Sequence, residues 1–397
     1  MSHVGDLRLT GRFALPKPTP HSSERYPTRS GTPSTNGAGP NTMKVFNCDH
    51  CQHLIFFENV QCVKCQHTLA YLPDLGIVGS LDPVVGGVWT SPLPRAWGHT
   101  YKLCSNYTNE TVCNWAIASD DPNTLCQSCQ LTSTIPDLTV PGHRDAWYKL
   151  EVAKRRLIYT LQSLKLPITS RITDPENGLA FEFLADTGTM PEQKVLTGHA
   201  SGLITLNIAE ADDADRERRR LQMHEPYRTL VGHFRHEIGH YYWDVLIRDS
   251  AKLDQYRELF GDERADYGEA LQKHYNTGAP AGWQEQFVST YASAHPWEDW
   301  AECWAHYLHM ADTLETAADC GVRLRPDNHK EPTVKSIADP VAENTDFDEL
   351  LKNWFAMTYL LNNLNRGLGL PDGYPFVLSV TVVRKLRFVH DVVRGKG

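Results

Sequence analysis

The spacing of apolar side chains predicts a chain whose C-terminal part is mainly helical. Residues 146–161 repeat apolar positions at helical intervals beneath a basic outer face, and residues 347–361 are apolar enough for a core helix. Residues 179–184 alternate in polarity and residues 199–209 form another apolar run, so we expect one strand at each. Residues 212–220 are dense in charge and predict a solvated helix, and an amphipathic stretch runs to Val393.

The first 43 residues differ in composition from the rest of the chain. They are rich in Pro, Ser, Thr, Gly and Asn and contain few large apolar side chains, so we expect residues 1–43 to be disordered. They carry no continuous apolar segment and so do not resemble a secretory signal. Met43 leads directly into the structured region, which makes it a candidate for the true start. An N-terminal mass measurement on the native protein tests that hypothesis.

Composition narrows the classes of partner. The 397 residues include 39 Lys and Arg against 48 Asp and Glu, which gives a net charge of −9. This mildly acidic balance disfavours a general nucleic-acid binder. No apolar run approaches the roughly 20 residues that are needed to cross a bilayer. We therefore expect a cytoplasmic protein that is not inserted in a membrane and has two or three domains.

The central motif of the chain is an H-E-x-x-H sequence formed by His236, Glu237 and His240. Residues four apart on an α-helix lie on the same face, so the two histidines can bind one metal ion. Glu237 is turned away from the axis that joins them and can reach a water on the metal's open position. Two imidazoles, a general base and a third ligand from elsewhere make a zinc hydrolase. Pro226 suits the first turn of this helix.

The third ligand is predicted on a second helix that begins near Pro296. Glu298 and Glu302 are four residues apart and share a face of that helix, which also carries three tryptophans that favour burial. We expect Glu298 to bind the zinc and Glu302 to accept a hydrogen bond from the outer nitrogen of a ligand histidine. Glu263 is the alternative ligand, although the charges around it favour a solvated helix face. Asp244 is expected to contact a neighbouring arginine or to support the site rather than to bind the metal directly.

Eight of the ten cysteines lie between residues 48 and 129. Cys48 and Cys51 form one C-x-x-C knuckle, and Cys62 and Cys65 form another. Two such knuckles complete a tetrahedral four-thiolate site, which we predict to hold structural zinc. Iron also suits four thiolates, and a disulfide framework would need an oxidising compartment. The nearby histidines are expected to be bystanders because the thiolates already fill the site.

A second set of cysteines consists of Cys104, Cys113, Cys126 and Cys129. Only the last two form a knuckle, but two strands can bring the others to the same metal. A second four-thiolate Zn²⁺ site is the preferred interpretation. The alternative is a group of buried cysteines or redox chemistry. Cys303, in the tryptophan-rich segment, is expected to fill core space.

These motifs resemble known families. H-E-x-x-H followed by a distant glutamate in an E-x-x-A-E helix resembles the gluzincin class of zinc metallopeptidases, and the E-D-W-A-E form with its upstream tyrosine is similar to the lethal-factor branch. From about residue 44, the chain resembles a bacterial family of zinc-binding metallopeptidases in which a zinc ribbon precedes a zincin domain. The segments that carry this resemblance are residues 46–51, 204–212, 235–244 and 295–302.

The resemblance implies two further features. In the lethal-factor branch, a tyrosine seven residues before the glutamate ligand donates a hydrogen bond to the tetrahedral intermediate, which corresponds to Tyr291 here. The alternative is that Tyr291 is a packed core residue. In zincins, an edge strand above the active site pairs with an extended substrate, and residues 199–209 are similar to it.

Taken together, the sequence predicts an α+β fold. A small cysteine-rich zinc-ribbon β module at residues 44–140 precedes a mainly helical zincin-type metallopeptidase domain with a small sheet at residues 141–397. The expected function is hydrolysis of a peptide or protein through a zinc-activated water, with one catalytic and two structural Zn²⁺ ions. The alternative is a catalytically silent, zinc-stabilised binding or regulatory module. A nucleic-acid-binding ribbon protein is the least favoured interpretation. The residues do not indicate the substrate or the oligomeric state.

Overall fold

The computed structural model describes residues 45–188, 190, 193–222 and 229–395, without the side chains of residues 219–222. The segment predicted to be disordered and Pro226 lie outside the described residues. All described residues belong to one compact unit. The prediction of an α+β fold with a small β module followed by a helical region is confirmed.

The N-terminal module is built from short antiparallel strands. Strands β1 and β2 pair with each other, and the next five strands form a sheet in the order β3-β4-β5-β6-β7. Two single-turn helices, α1 and α2, precede and follow β7 in the chain. The strands are β1 (Phe46–Asn47), β2 (Leu54–Ile55), β3 (Thr68–Leu72), β4 (Ile77–Val84), β5 (Val88–Thr90), β6 (Tyr101–Leu103) and β7 (Ala116–Ala118); the helices are α1 (Ser105–Thr108) and α2 (Gln127–Gln130).

A second sheet of four strands supports the helical region. Its order is β10-β11-β9-β8, with β11 parallel to β9 and β9 parallel to β8. The strands are β8 (Thr132–Thr134), β9 (Ala180–Leu184), β10 (Gly198–Ala200) and β11 (Leu203–Asn207). Strand β8 precedes residue 141, where we place the domain boundary, yet it pairs with β9. The predicted ribbon module therefore contributes an edge strand to the sheet of the helical region.

The prediction of one continuous strand over residues 199–209 is wrong. The segment folds into a hairpin in which β10 and β11 pair antiparallel through a turn at Ser201 and Gly202. Both turn residues have positive φ, 46° and 83°, which suits a tight two-residue hairpin. The Ser-Gly pair was the available signal, because such dipeptides mark turns. The edge of the sheet next to the histidine motif is consequently β10 alone.

Eight longer helices make up the rest of the described fold. They are α3 (His143–Ser163), α4 (Asp213–Gln222), α5 (Leu230–Leu246), α6 (Leu253–Phe260), α7 (Tyr267–Thr277), α8 (Pro296–Asp319), α9 (Phe347–Gly367) and α10 (Val380–Val393). Among the described residues, no helix has the length and apolar character that spanning a membrane requires.

Helices α5 and α8 pack closely at Gly239. A Cβ atom added there would lie 3.0 Å from Cα of Ala301 and 3.2 Å from Cβ of Trp304, so only glycine allows this approach without a shift. The indole nitrogen of Trp300 donates a 2.8 Å hydrogen bond to the carbonyl oxygen of Gly239. This bond satisfies a buried polar group and fixes the position of α8 along α5.

Candidate metal centres

The local sequence begins α5 so that its histidines face α8. Thr229 caps the helix, since its hydroxyl accepts a 3.0 Å hydrogen bond from the backbone nitrogen of Gly232. The helix therefore starts at Leu230. His236 and His240 then lie one turn apart, with ring centroids separated by 5.0 Å. The spacing of the motif alone is enough to bring these two rings to the same face.

Helix α8 brings the predicted carboxylate to these rings. His295 caps its N-terminus by accepting a 3.1 Å hydrogen bond from the backbone nitrogen of Trp297. Glu298 follows in the first turn, and its Oε2 atom lies 2.9 Å from Nε2 of His236 and 3.7 Å from Nε2 of His240. The three potential ligand atoms all lie within 4.8 Å of one another. Two imidazoles and one carboxylate fit a zinc ion that keeps an open position for water.

Glu302, one turn after Glu298 on α8, orients the first histidine. Oε1 of Glu302 lies 2.8 Å from Nδ1 of His236, and its other oxygen accepts a 2.6 Å hydrogen bond from the hydroxyl of Ser289. A proton on Nδ1 leaves Nε2 of His236 available for a metal. Nothing in the spacing of Ser289 marked it in the sequence, because it reaches Glu302 from the loop before α8.

The electrostatics of this cluster favour a bound cation. Burial acts to raise the pKa of Glu298, but the nearby His240 and His236 outweigh it and hold that pKa well below its usual range. Burial likewise opposes ionisation of Glu302, and the hydrogen bond with His236 lowers its pKa. Burial acts to lower the pKa of His236, but Glu298 and Glu302 outweigh it and raise that pKa, so the cluster favours a positive charge that a divalent metal would supply.

The cluster opens into a cleft of about 640 Å³ that Glu237, Tyr291, Tyr267 and strand β10 line. The ring of Tyr291 is centred 5.8 Å from that of His236. Burial and the charge of Glu298 raise the pKa of Tyr291, so its hydroxyl stays protonated and able to donate. Tyr267 was not expected at the site. Its hydroxyl donates a 2.6 Å hydrogen bond to Oε1 of Glu298.

The remaining polar residues around the cleft have other partners. Glu263, the alternative ligand, forms two hydrogen bonds with Arg257, at 2.6 and 3.0 Å. Asp244 lies 3.0 Å from Arg248, in line with the expected arginine contact. His199 on β10 stacks against His240, with 6.0 Å between ring centroids. Burial lowers the pKa of His199 to about 3, so this ring is neutral.

Both predicted cysteine sets converge. Cys48, Cys51, Cys62 and Cys65 form one group, and Cys104, Cys113, Cys126 and Cys129 form another; in each, the sulfur atoms lie within 4.8 Å of one another. All ten cysteines of the chain are free thiols. Four sulfurs at this separation suit a tetrahedral metal site.

The knuckles of the first group have the tight backbone that their spacing predicts. The backbone nitrogen of Gln52 donates to the carbonyl of Cys48 at 2.7 Å, and that of Gln66 donates to Cys62 at 2.8 Å. Both glutamines have positive φ, 58° and 65°. The second group is entirely buried and packs against α3. Zinc binding at the cysteine clusters is supported, and Cys303 is buried in the core as expected.

Comparison with known proteins gives matches over most of the chain. A family model described as "Putative zinc-binding metallo-peptidase" matches residues 143–392, and one described as a zinc-ribbon domain matches residues 45–140. The chain is 43% identical over 353 residues to an uncharacterized protein of Mycobacterium tuberculosis (strain H37Rv) and to one of Mycobacterium bovis. Each alignment covers 88% of this chain and 95% of the relative. No solved structure matches.

Proposed function

We propose that this protein, which belongs to the family of zinc-binding metallo-peptidases, hydrolyses peptide bonds with a zinc-activated water. The observation that carries the proposal is the convergence of His236, His240 and Glu298 at the wall of a cleft that Glu237 also lines. Zinc held by these ligands would act as a Lewis acid and bring the pKa of its water towards about 7.

Three side chains around the proposed ligands would transfer the proton, orient a ligand and stabilise the oxyanion. Glu237 would accept the proton of the attacking water and deliver it to the leaving amine. Glu302 would keep His236 in the tautomer that binds metal, supported by the 2.8 Å hydrogen bond between them. The protonated hydroxyl of Tyr291 would donate to the oxyanion of the tetrahedral intermediate.

The proposed substrate is a peptide or an unfolded protein segment. Strand β10 is the edge of its sheet and lies along the cleft. An extended peptide could add to this edge through main-chain hydrogen bonds, which demand little of its sequence.

The proposed location is the cytoplasm, supported by ten free thiols, eight of them in clusters that need reduced sulfur to bind metal. Cell fractionation with redox-trapped thiols tests that location.

Two variants of the full-length protein test the function. Glu237→Gln keeps the shape of the side chain but removes the base, so cleavage of a broad peptide library should fall by at least about a hundredfold. Zinc per chain should stay at the value of the unmodified protein. The His236→Ala/His240→Ala double variant should lose one zinc of three, since the two cysteine sites remain intact.

The outcomes separate this function from the alternative of a catalytically silent binding module. Wild-type cleavage that disappears in Glu237→Gln, with zinc retained, supports the peptidase. Cleavage at the wild-type rate in Glu237→Gln would refute the mechanism. Unchanged zinc in the double histidine variant would mean that α5 binds no metal, and the binding-module function would then be favoured.

A further inference from the structure

The two oxygens of Glu298 have different partners. Oε2 faces the imidazoles, 2.9 Å from Nε2 of His236, whereas Oε1 accepts the 2.6 Å hydrogen bond from the hydroxyl of Tyr267. Only 1% of Glu298 is exposed, so water has little access to either oxygen. One oxygen is therefore available to a metal and the other is occupied by a phenol.

The distinction matters because a carboxylate can bind zinc through one oxygen or through both. A catalytic site needs three protein ligands and an open position, and a second oxygen from Glu298 would compete for that position. A hydrogen bond to a carboxylate is charge-assisted and roughly twice as strong as one between neutral groups. The hydroxyl of Tyr267 therefore holds Oε1 away from the metal position and fixes the plane of the carboxylate.

The orientation of Tyr267 is itself determined by its surroundings. It is the first residue of α7, directly after Asp266, whose carboxylate caps the helix by accepting a 2.8 Å hydrogen bond from the backbone nitrogen of Glu269. Its ring packs against the start of α8, with centroids 5.2 Å from His295 and 6.1 Å from Trp297. The phenol thus joins the start of α7 to the turn that carries Glu298.

We propose that Tyr267 is a positioning residue that keeps Glu298 bound to zinc through one oxygen and so preserves the open position for water. This inference rests on the proposed zinc site of His236, His240 and Glu298. The role differs from that of Tyr291, which would contact the reacting oxygen. Tyr267 acts through the ligand, so its loss changes the metal site even when no peptide is present.

The test is the Tyr267→Phe variant of the full-length protein, which keeps the ring and removes the hydroxyl. Zinc is first removed from the catalytic site with a chelator mild enough to leave the cysteine sites loaded. Zinc affinity is then measured by competition with a chromogenic chelator, and we expect it to fall about 10–100-fold. Tyr275→Phe is the matched control, since Tyr275 lies on the same helix, is 60% exposed and should leave the affinity unchanged.

A second measurement distinguishes coordination from general loosening. Cobalt(II) is added after the chelator has emptied the catalytic site and while the cysteine sites keep their zinc, and its visible absorption reports the number of ligands. If Glu298 turns to bind through both oxygens in Tyr267→Phe, the coordination number rises and the cobalt band weakens, whereas Tyr275→Phe keeps the wild-type band.

The result that overturns the inference is a cobalt spectrum in Tyr267→Phe that matches the wild-type spectrum, with or without a fall in zinc affinity, while the wild-type protein still binds a zinc that depends on His236 and His240. In that case the proposed peptidase function stands and only the role of Tyr267 is wrong. If the wild-type protein binds no such zinc, the proposed function fails and this inference fails with it.

Discussion

Replacing Arg155 with methionine tests whether the second cysteine cluster is electrostatically coupled to α3, the first helix of the helical region. Arg155 lies on α3 with only 1% of its surface exposed, and its Nη1 donates a hydrogen bond to the carbonyl of Val112, next to Cys113. Burial acts to lower the pKa of Arg155, but the charges of Cys113 and Glu151 raise it. The guanidinium is therefore a buried cation placed against the thiolates.

The expected loss of folding free energy follows from the charges that are buried together. Four thiolates around a divalent zinc carry a net charge of about −2. On the facing side of α3, Glu151, Lys154 and Arg155 are all buried and leave one positive charge in excess. Removing Arg155 leaves the cluster uncompensated and the carbonyl of Val112 without its donor. Breaking a buried pair in this way costs about 3–5 kcal/mol.

Thermal unfolding followed by circular dichroism measures this loss of stability as a fall in Tm. An unfolding entropy of about 2.1 cal/mol/K per residue over roughly 350 residues converts the loss into a fall in Tm of about 4–7 °C. Arg156→Met is the matched control, because Arg156 is 47% exposed and its partner Glu58 is 22% exposed, so water reaches their ion pair. Such exposed pairs contribute less than about 1 kcal/mol, so Tm should change by about 1 °C or less.

Zinc content completes the assay. The cluster of Cys104, Cys113, Cys126 and Cys129 should release zinc to a chelator sooner in Arg155→Met than in Arg156→Met. If both variants have the Tm of the wild-type protein and release zinc at the same rate, the charge of Arg155 does not stabilise the cluster and the reasoning is refuted. Since α3 packs against α5, a confirmed effect would link the ribbon to the helix of the histidine motif.

Two further predictions concern packing and pH. Gly239→Ala should lower the free energy of unfolding by about 1–3 kcal/mol, because its Cβ would meet the backbone of Ala301 at 3.0 Å. Urea titration measures this free energy. Gly268→Ala is the control and should not destabilise the protein, because its Cβ would meet nothing closer than 3.5 Å. Burial lowers the pKa of His306 from 6.5 to about 4, so the unfolded chain binds its proton first as the pH falls. The stabilising effect of neutral His306 is thus present above about pH 6.5 and lost towards pH 4. Urea titrations at pH 7.5 and 5 measure the free energy of unfolding, and its decrease between these pH values should be smaller in His306→Phe than in the wild-type protein.

The parts of the site that could be predicted from sequence are those set by helical geometry. His236 and His240 share a face because they are four residues apart, and the same spacing holds for Glu298 and Glu302. Neither inference needed the tertiary fold beyond the meeting of two helices. The resemblance to a family of zinc-binding metallopeptidases with a preceding zinc ribbon, drawn from the same segments and the cysteine knuckles, is confirmed by the matching family models. The gluzincin and lethal-factor resemblance stays a prediction. The roles of the individual ligands stay predictions.

The parts that were missed depend on contacts between distant segments. Tyr267 lies 31 residues before Glu298, and Ser289 lies 13 residues before Glu302. Neither separation has a helical or strand period, so no local pattern marks these hydroxyls as partners of the carboxylates. The single strand predicted across Ser201 is a different kind of error. The Ser-Gly pair was a local signal for a turn, but the apolar residues on both sides of it favoured a continuous strand.

The register of α8 on α5 connects the packing of the core with the geometry of the site. One face of α8 presents Glu298 and Glu302 to His236, while Trp300, between them in sequence, donates to the carbonyl of Gly239. Each residue of an α-helix is rotated by about 100° from the one before it, so a slip of one residue would carry both carboxylates away from the imidazole. The tryptophan and the glycine therefore hold the proposed ligands in register without belonging to the ligand set themselves. It follows that Gly239→Ala should weaken zinc binding at this site as well as stability, although every ligand remains in the chain.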